Sequence, residues 1–105
     1  MNQKMPSLLG TTWTIKSPDL NAMSVKFNAG GAATVIPVST PNFKIQSTWQ
    51  EGPRFVSFSL QVPNLGDGTS LSLQGTHAGG QGSGSAIADI PGIGSKTYPF
   101  TMNKT

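Results

Sequence analysis

The sequence predicts an all-β protein, a single up-and-down antiparallel β-barrel of about eight strands. Charged residues make up only 10% of the 105 residues, with Glu51 the one glutamate, whereas long solvated helices usually carry many charges. Apolar and polar residues alternate with a period of two, which is typical of half-buried strands. Short turns rich in glycine and proline separate these stretches. A β-sandwich is the alternative, because turn spacing does not distinguish a closed sheet from two packed sheets.

The first two strands are predicted before and after a break at residues 17–19. Asn28, Ala29, Gly30 and Gly31 then supply the residues with positive φ that a hairpin requires. The side chains predicted to point inward are Leu9, Thr11, Trp13 and Ile15 on the first strand, and Met23, Val25 and Phe27 on the second.

The third strand, residues 32–38 with the sequence AATVIPV, is apolar on both phases. Pro37 removes a backbone donor, which indicates an edge, a bulge or a strand end. Apolar residues on both faces predict burial outside the barrel as well, either in a homodimer contact through residues 32–38 or beneath a covering loop. The fourth strand alternates Phe43, Ile45, Ser47 and Trp49 inward, before a turn at residues 51–53.

The second half of the chain predicts four more strands. The fifth shows the clearest alternation in the chain, and a loop at residues 63–69 follows it. Glycines between residues 79 and 84 predict the next hairpin, and residues 91–94 predict the last turn. The inward positions are Val56, Phe58, Leu60 and Val62, then Leu71, Leu73, Gly75 and His77, and finally Tyr98, Phe100 and Met102.

The mostly short connections favour antiparallel pairing of sequential strands, since parallel strands need crossovers of a dozen residues or more. Closing the sheet removes both exposed edges, which favours the barrel. A length of 105 residues fits one domain, residues 1–105.

The formal net charge is +3, but the basic residues are spread along the chain. Lys16, Lys26 and Lys44 fall on polar strand phases, as expected of solvated lysines that discourage pairing between molecules. We therefore expect no nucleic-acid partner. No apolar run is long enough for a signal peptide or a membrane span, so we expect no membrane partner. A cytoplasmic location is the default expectation, and a secreted mature form stays open.

Three stretches, LLGTTWTI, LSLQGTHAGGQGSGSAI and KTYPFTMNK, together resemble the calycin group, which contains lipocalins, fatty-acid-binding proteins and avidin-like barrels. LLGTTWTI, residues 8–15, is similar to the Gly-x-Trp first strand in which the tryptophan plugs one barrel end, with one additional residue between Gly10 and Trp13. LSLQGTHAGGQGSGSAI resembles the paired late strands, and KTYPFTMNK resembles a closing strand of type Tyr-x-Phe-x-x-x-Lys/Arg. The resemblance implies a single lipocalin-like β-barrel domain, capped at one end, with or without an interior pocket.

Residues 72–90 hold the single histidine beside several glycines, but no catalytic or phosphate-binding motif. The glycine spacing does not match a nucleotide-binding loop, and no helix is predicted to follow. His77 is the one imidazole available to Ser83 or Ser85, neither of which lies in a Gly-x-Ser-x-Gly frame, and Asp89 is the nearest acid. One histidine and four acids lack the spacing of a metal site. We therefore predict no catalytic residues, no metal and no cofactor, and an enzyme is disfavoured.

Aromatic residues on inward phases either fill the barrel or line a pocket. A pocket would be mostly apolar with a few polar groups that set the ligand's orientation, here His77, Tyr98 or a tryptophan indole. The function predicted first is non-catalytic binding of a small apolar or amphipathic ligand inside the barrel. The alternative is a barrel with a filled core that acts as a protein-interaction or structural module and that can form a homodimer. The predicted ligand-binding residues are Trp13, Phe27, Trp49, Phe58, His77 and Tyr98.

Overall fold

The computed structural model describes residues 7–18, 20–52 and 56–105, which form one closed antiparallel barrel in up-and-down order. The predicted barrel is confirmed, and the chain does not adopt the sandwich alternative. The strands are β1 Thr12–Ser17, β2 Leu20–Phe27, β3 Ala32–Pro37, β4 Ile45–Glu51, β5 Ser57–Val62, β6 Ser70–Ala78, β7 Gln81–Ile90 and β8 Gly94–Lys104.

The barrel closes where β8 pairs with β1. Trp13 lies opposite Lys104 and Ile15 lies opposite Met102 in this pairing. The Thr105 amide extends the seam by donating to the Thr12 carbonyl over 3.0 Å. Closure satisfies the backbone groups that an open sheet would leave exposed at its two edges.

Alternation of burial along each strand follows the alternation in the sequence. On β4, Ile45, Ser47 and Trp49 are buried, whereas the intervening residues are exposed. Each large apolar side chain removed from water in this way contributes about 1.5–3 kcal/mol. The buried apolar core consists of Leu8, Trp13, Ile15, Met23, Val25, Phe27, Ala33, Val35, Ile45, Trp49, Phe58, Leu60, Val62, Leu71, Leu73, Ala86, Ala88, Phe100 and Met102.

Two facing glycines allow β6 and β7 to approach closely. Gly75 pairs with Gly84 in the ladder. A Cβ atom on Gly84 would lie 2.0 Å from the Gln74 carbonyl oxygen, and one on Gly75 would lie 2.3 Å from that of Ser83. Glycine is needed here because no other residue leaves room for the neighbouring backbone.

The turn between β2 and β3 has the predicted conformation. Gly30 and Gly31 have φ values of 74° and 75°, and Ala29–Gly31 forms a single 3-10 turn. The predicted breaks at residues 17–19 and 51–53 lie partly outside the described residues, because residues 19 and 53–55 are not described.

Three predicted inward positions near strand starts are wrong. Leu9 is 52% exposed and Leu8 is fully buried, because Gly10 adopts a φ of 78° and interrupts the strand phase before β1. Phe43 is 41% exposed, since β4 begins only at Ile45. Val56 is likewise exposed, because it precedes β5.

Residues 32–38 do not form a free edge. Ala33 and Val35 point into the barrel and are fully buried, and β3 is hydrogen-bonded to β2 on one side and to β4 on the other. A homodimer through this segment therefore has to use the outer face of β3 and the exposed Val38, and it stays a prediction. No helix in the described part of the chain is long and apolar enough to cross a membrane.

Candidate functional site

The two ends of the barrel differ in chemistry. The aromatic end is defined by Trp13, Phe27, Trp49, Phe58 and His77, which lie at the start of β1 and β5 and at the end of β2, β4 and β6. The mouth is the opposite end, where the connecting segments 38–44, 63–69 and 91–93 lie. The antiparallel order places alternate connections at opposite ends, so these three segments share one rim.

The aromatic end is packed by edge-to-face contacts. Phe27 lies 5.1 Å from Trp49 and 6.2 Å from Phe58 between ring centroids. His77 lies 5.8 Å from Trp13 and 6.2 Å from Phe58. These separations are those of favourable aromatic pairs. The structure thus brings five of the six predicted ligand-binding residues together, in contact with one another.

Tyr98, the sixth predicted residue, is placed differently. It lies on β8 opposite Ala86 and is half-buried against the core. Its ring is not one of the described aromatic rings that contact one another at the aromatic end. Its side chain therefore belongs to the wall of the barrel between the two ends.

Both indole N–H groups are already hydrogen-bonded within the protein. Trp13 Nε1 donates to Thr11 Oγ1 over 2.8 Å, and Trp49 Nε1 donates to the Asn28 carbonyl over 2.9 Å. A ligand that accepts a hydrogen bond from an indole would first have to break one of these internal bonds. This costs more free energy than binding to a free donor.

Glu51 is a buried group at the aromatic end that the sequence analysis did not select. Its carboxylate accepts hydrogen bonds from the Ser7 hydroxyl and, over 3.1 Å, from the Leu8 amide. Its Oε2 atom also lies 3.6 Å from His77 Nε2, and both side chains are less than a tenth exposed. This carboxylate therefore holds the segment before β1 over the barrel end, with Leu8 fully buried beneath it.

Truncation of Glu51 is expected to loosen that segment. Glu51→Ala removes the acceptor for two donors, and hydrogen bonds to a charged group contribute about 1.5–3 kcal/mol each. We expect a loss of about 3 kcal/mol or more in the free energy of unfolding and faster hydrogen exchange at the Leu8 amide. Glu51→Gln keeps one acceptor oxygen and should give an intermediate loss. Unchanged exchange at Leu8 in Glu51→Ala would contradict the role assigned to this carboxylate.

The same geometry does not assemble a serine-hydrolase relay. In such a relay the imidazole lies between hydroxyl and carboxylate, whereas here the carboxylate of Glu51 contacts both Ser7 and His77. Ser83 and Asp89, the possible relay partners named from the sequence, are also not placed beside the His77 imidazole. Ser83 pairs with Thr76 on the outer phase, and Asp89 lies seven residues along β7 from the partner of His77, about 23 Å at the rise of a strand. Within the described residues, no cluster of three potential metal ligands occurs.

The mouth contains a half-enclosed cavity of about 360 Å³. Such a volume lies within the roughly 300–1,000 Å³ of small-molecule sites. Its apolar surface comes from the start of the barrel core and the 63–69 segment, and its polar groups come from the rim. The lining residues are Asn21, Met23, Pro37, Ser39, Thr40, Leu65, Asp67 and Leu71.

Internal hydrogen bonds fix the segments that form this rim. Asn64 Oδ1 accepts from the amides of Gly66 and Gly68 at 2.8 and 3.0 Å. Both glycines have positive φ. Neighbouring segments also lie close to them. A Cβ atom on Gly66 would lie 3.0 Å from the Phe43 ring, and a Cβ atom on Gly68 would lie 3.0 Å from Pro91. The 63–69 segment therefore contacts both of the other segments of the rim.

Asp67 is the charged residue among the described residues that line the cavity. The backbone N–H of Thr69 donates to Asp67 Oδ1 over 2.9 Å. Hydrogen bonds from Thr69 hold the pKa of the Asp67 carboxyl below its usual range. The side chain is therefore a carboxylate at neutral pH.

Larger grooves occur on the outer wall, and the two largest are more open than the mouth. One, of about 550 Å³, crosses β6 to β8 near Gly82, and the other, of about 520 Å³, crosses β4 to β6 near Gly75. Ser, Thr, Gln and Asn make up half or more of the residues that line each of them. Neither of these two is enclosed by loops, so the mouth is better formed than either of them. A further groove of about 430 Å³ near Gly31 and Trp49 is about as enclosed as the mouth, but it lies outside the barrel at the opposite end.

Comparison with protein-family models, with curated proteins and with solved structures gives no match for this chain. The fold and the geometry of the mouth are therefore the basis on which a function is inferred.

Proposed function

We propose that the protein binds a small amphipathic molecule at the mouth of the barrel, without catalysis. The observation that carries the proposal is the half-enclosed cavity of about 360 Å³ with Met23, Leu65 and Leu71 among its lining residues and polar groups around it. Ligand sites commonly combine an apolar lining with a few placed polar groups. The apolar tail of the ligand would contact these three side chains, and its polar head would face the rim.

The packing of the aromatic end supports the choice of the mouth. A ligand among Trp13, Phe27 and Phe58 would have to displace rings that already contact one another, and each aromatic pair contributes about 0.5–1.5 kcal/mol beyond its burial. The mouth requires no such displacement. In the proposal the predicted aromatic residues form the packed base of the barrel, and residues around the mouth contact the ligand.

The rigidity of the rim also supports the proposal. Binding costs free energy when loops must be ordered, and a preformed site avoids part of that cost. The Asn64 carboxamide already holds the 63–69 segment in place. The resemblance to calycins agrees with the proposal, since it implies a barrel capped at one end by a tryptophan.

An uncharged fluorescent probe tests the proposal. N-phenyl-1-naphthylamine becomes brighter in apolar surroundings, and we expect saturable enhancement with the wild-type protein. Leu65→Glu places a charge in the mouth and should weaken probe binding by about tenfold or more, since burying an unpaired charge is strongly unfavourable. Ile87→Glu is the matched control, because Ile87 is 46% exposed on the outer wall and this variant should bind like the wild type.

Thermal unfolding of both variants separates binding from folding in this test. The proposal requires that Leu65→Glu loses the probe while its unfolding transition is retained. Equal probe binding by Leu65→Glu and the wild type, or no saturable binding by the wild type, would refute a ligand site at the mouth.

Exposed apolar side chains around the mouth support a second candidate, a protein-interaction module that includes the homodimer. Val38, Phe43 and Ile93 are 56%, 41% and 65% exposed, and they belong to the segments that form the rim. Sedimentation of the wild type and of the double variant Val38→Ser, Phe43→Ser tests it. A dimer that the double variant dissociates would support this candidate, and a monomeric wild type would remove the homodimer.

A further inference from the structure

The mouth cavity carries a negative charge. Among the described residues that line it, Asp67 is the one charged group, and none is basic. The remaining polar groups are the Asn21 carboxamide and the hydroxyls of Ser39 and Thr40. Each of these can accept a hydrogen bond through oxygen. The cavity lining therefore offers acceptors and negative charge to whatever enters the cavity.

The Asp67 carboxylate is held in position and can still accept hydrogen bonds from a ligand. The Thr69 amide donates to its Oδ1 atom over 2.9 Å. A carboxylate has about four lone-pair sites, so the bond to Thr69 leaves others for a donor in the cavity. The 63–69 segment is itself held by Asn64. A carboxylate that is held in place before binding loses little conformational entropy when it meets a cation.

We infer that the ligand is a cationic amphipath, an ammonium group on an apolar tail, with its head at Asp67 and its tail against Met23, Leu65 and Leu71. The inference rests on the proposed function and adds the charge of the head group to it. A primary ammonium has three donors and no acceptor, which matches a rim made of a carboxylate, a carboxamide and two hydroxyls.

The same lining disfavours anionic amphipaths such as fatty acids and alkyl sulfates. A carboxylate or sulfate head in this cavity would face Asp67, and like charges brought together reduce affinity. Lys16, Lys44 and Lys96 are described residues that carry positive charge on this side of the barrel, but they do not line the cavity. The net charge of +3 therefore does not describe the local charge at the mouth.

Isothermal titration with three ligands that share one tail tests the inference. The ligands are decylammonium, decanol and decyl sulfate, each kept below the concentration at which it aggregates. Decylammonium should bind up to about fivefold more tightly than decanol, which is the effect of one ion pair with an exposed carboxylate, and decyl sulfate should bind more weakly than both.

Two matched variants locate the effect. Asp67→Asn keeps an oxygen that accepts from the Thr69 amide and removes the charge, so it should bring decylammonium to within about twofold of decanol. Asp89→Asn removes a charge from an exposed position on β7, outside the cavity, and it should preserve the wild-type preference. Raising the salt concentration should weaken binding of decylammonium and leave decanol unaffected.

The outcomes distinguish this inference from the proposed function. Equal affinity for decylammonium and decanol in the wild type would overturn the inference and leave amphipath binding at the mouth intact. A preference for decylammonium that persists in Asp67→Asn would also overturn it, since the charge would then act elsewhere. Failure of all three ligands to bind would refute the proposed function and the inference together.

Discussion

Gly84→Ala is expected to destabilise the barrel strongly, by about 3 kcal/mol or enough to prevent folding. The added methyl group would lie 2.0 Å from the Gln74 carbonyl oxygen and 2.6 Å from the Gly75 Cα atom. Both neighbours are backbone atoms of a paired strand, so relief requires β6 and β7 to separate. Chemical denaturation of the variant, compared with the wild type, measures the loss.

Gly79→Ala is the control for this substitution. Gly79 has a φ of 63° and no atom within 4 Å of an added Cβ. Its replacement therefore carries only the backbone strain of the left-handed region, about 1–2 kcal/mol. A loss in Gly84→Ala no larger than that in Gly79→Ala would show that β6 and β7 are not as close as the barrel requires.

Phe58→Ala is expected to cost about 3–5 kcal/mol in the free energy of unfolding, the usual range for a buried phenylalanine. Phe58 is 4% exposed, and its ring lies 6.2 Å from each of the rings of Phe27, His77 and Phe100. Removing it opens a cavity that three neighbours line. Thermal or chemical denaturation measures the loss, with Phe58→Leu as the milder variant where Phe58→Ala does not fold.

The exposed Phe43 provides the comparison for Phe58. Phe43→Ala removes the same ring from a position 41% exposed, so its cost should stay below about 1 kcal/mol. Equal losses in the two variants would mean that the aromatic end is not packed. Wild-type stability of Phe58→Ala would instead show that the aromatic residues line a pocket, which is the alternative that the sequence leaves open.

Period-two alternation predicts the strands and most of their inward positions. Ile45, Ser47 and Trp49 alternate in burial as the sequence does, since one face of each strand is in the barrel and the other is in solvent. Closure of the sheet is predicted because it removes both exposed edges, and the pairing of Ile15 with Met102 confirms it.

Alternation fails where the backbone leaves the strand conformation. The burial of Leu8 in place of Leu9 follows from the turn at Gly10, a change of direction that alternation does not encode. Glu51 continues the inward phase of Trp49, so the pattern did contain its position. A carboxylate in a barrel interior is unfavourable without partners, and the partners of Glu51 lie far away in sequence, at Ser7 and Leu8, where alternation gives no sign of them.

The mouth could not be predicted from periodicity. Leu65 and Asp67 belong to a connection with no alternation, and their role depends on the packing of three separate segments around one rim. The predicted ligand-binding residues were chosen for being aromatic and inward-facing, a choice that does not distinguish a filled end from an open one. Their place in ligand binding stays a prediction that a titration decides.

Nuclear magnetic resonance of the protein during titration with N-phenyl-1-naphthylamine tests most directly whether ligands bind at the mouth. Aromatic ring currents shift the resonances of nearby methyl groups. We predict saturable shifts of the Met23, Leu65 and Leu71 methyl resonances, with the indole N–H resonances of Trp13 and Trp49 unchanged. Shifts of the two indole resonances with the three methyl groups unaffected would place the ligand at the aromatic end and contradict the account.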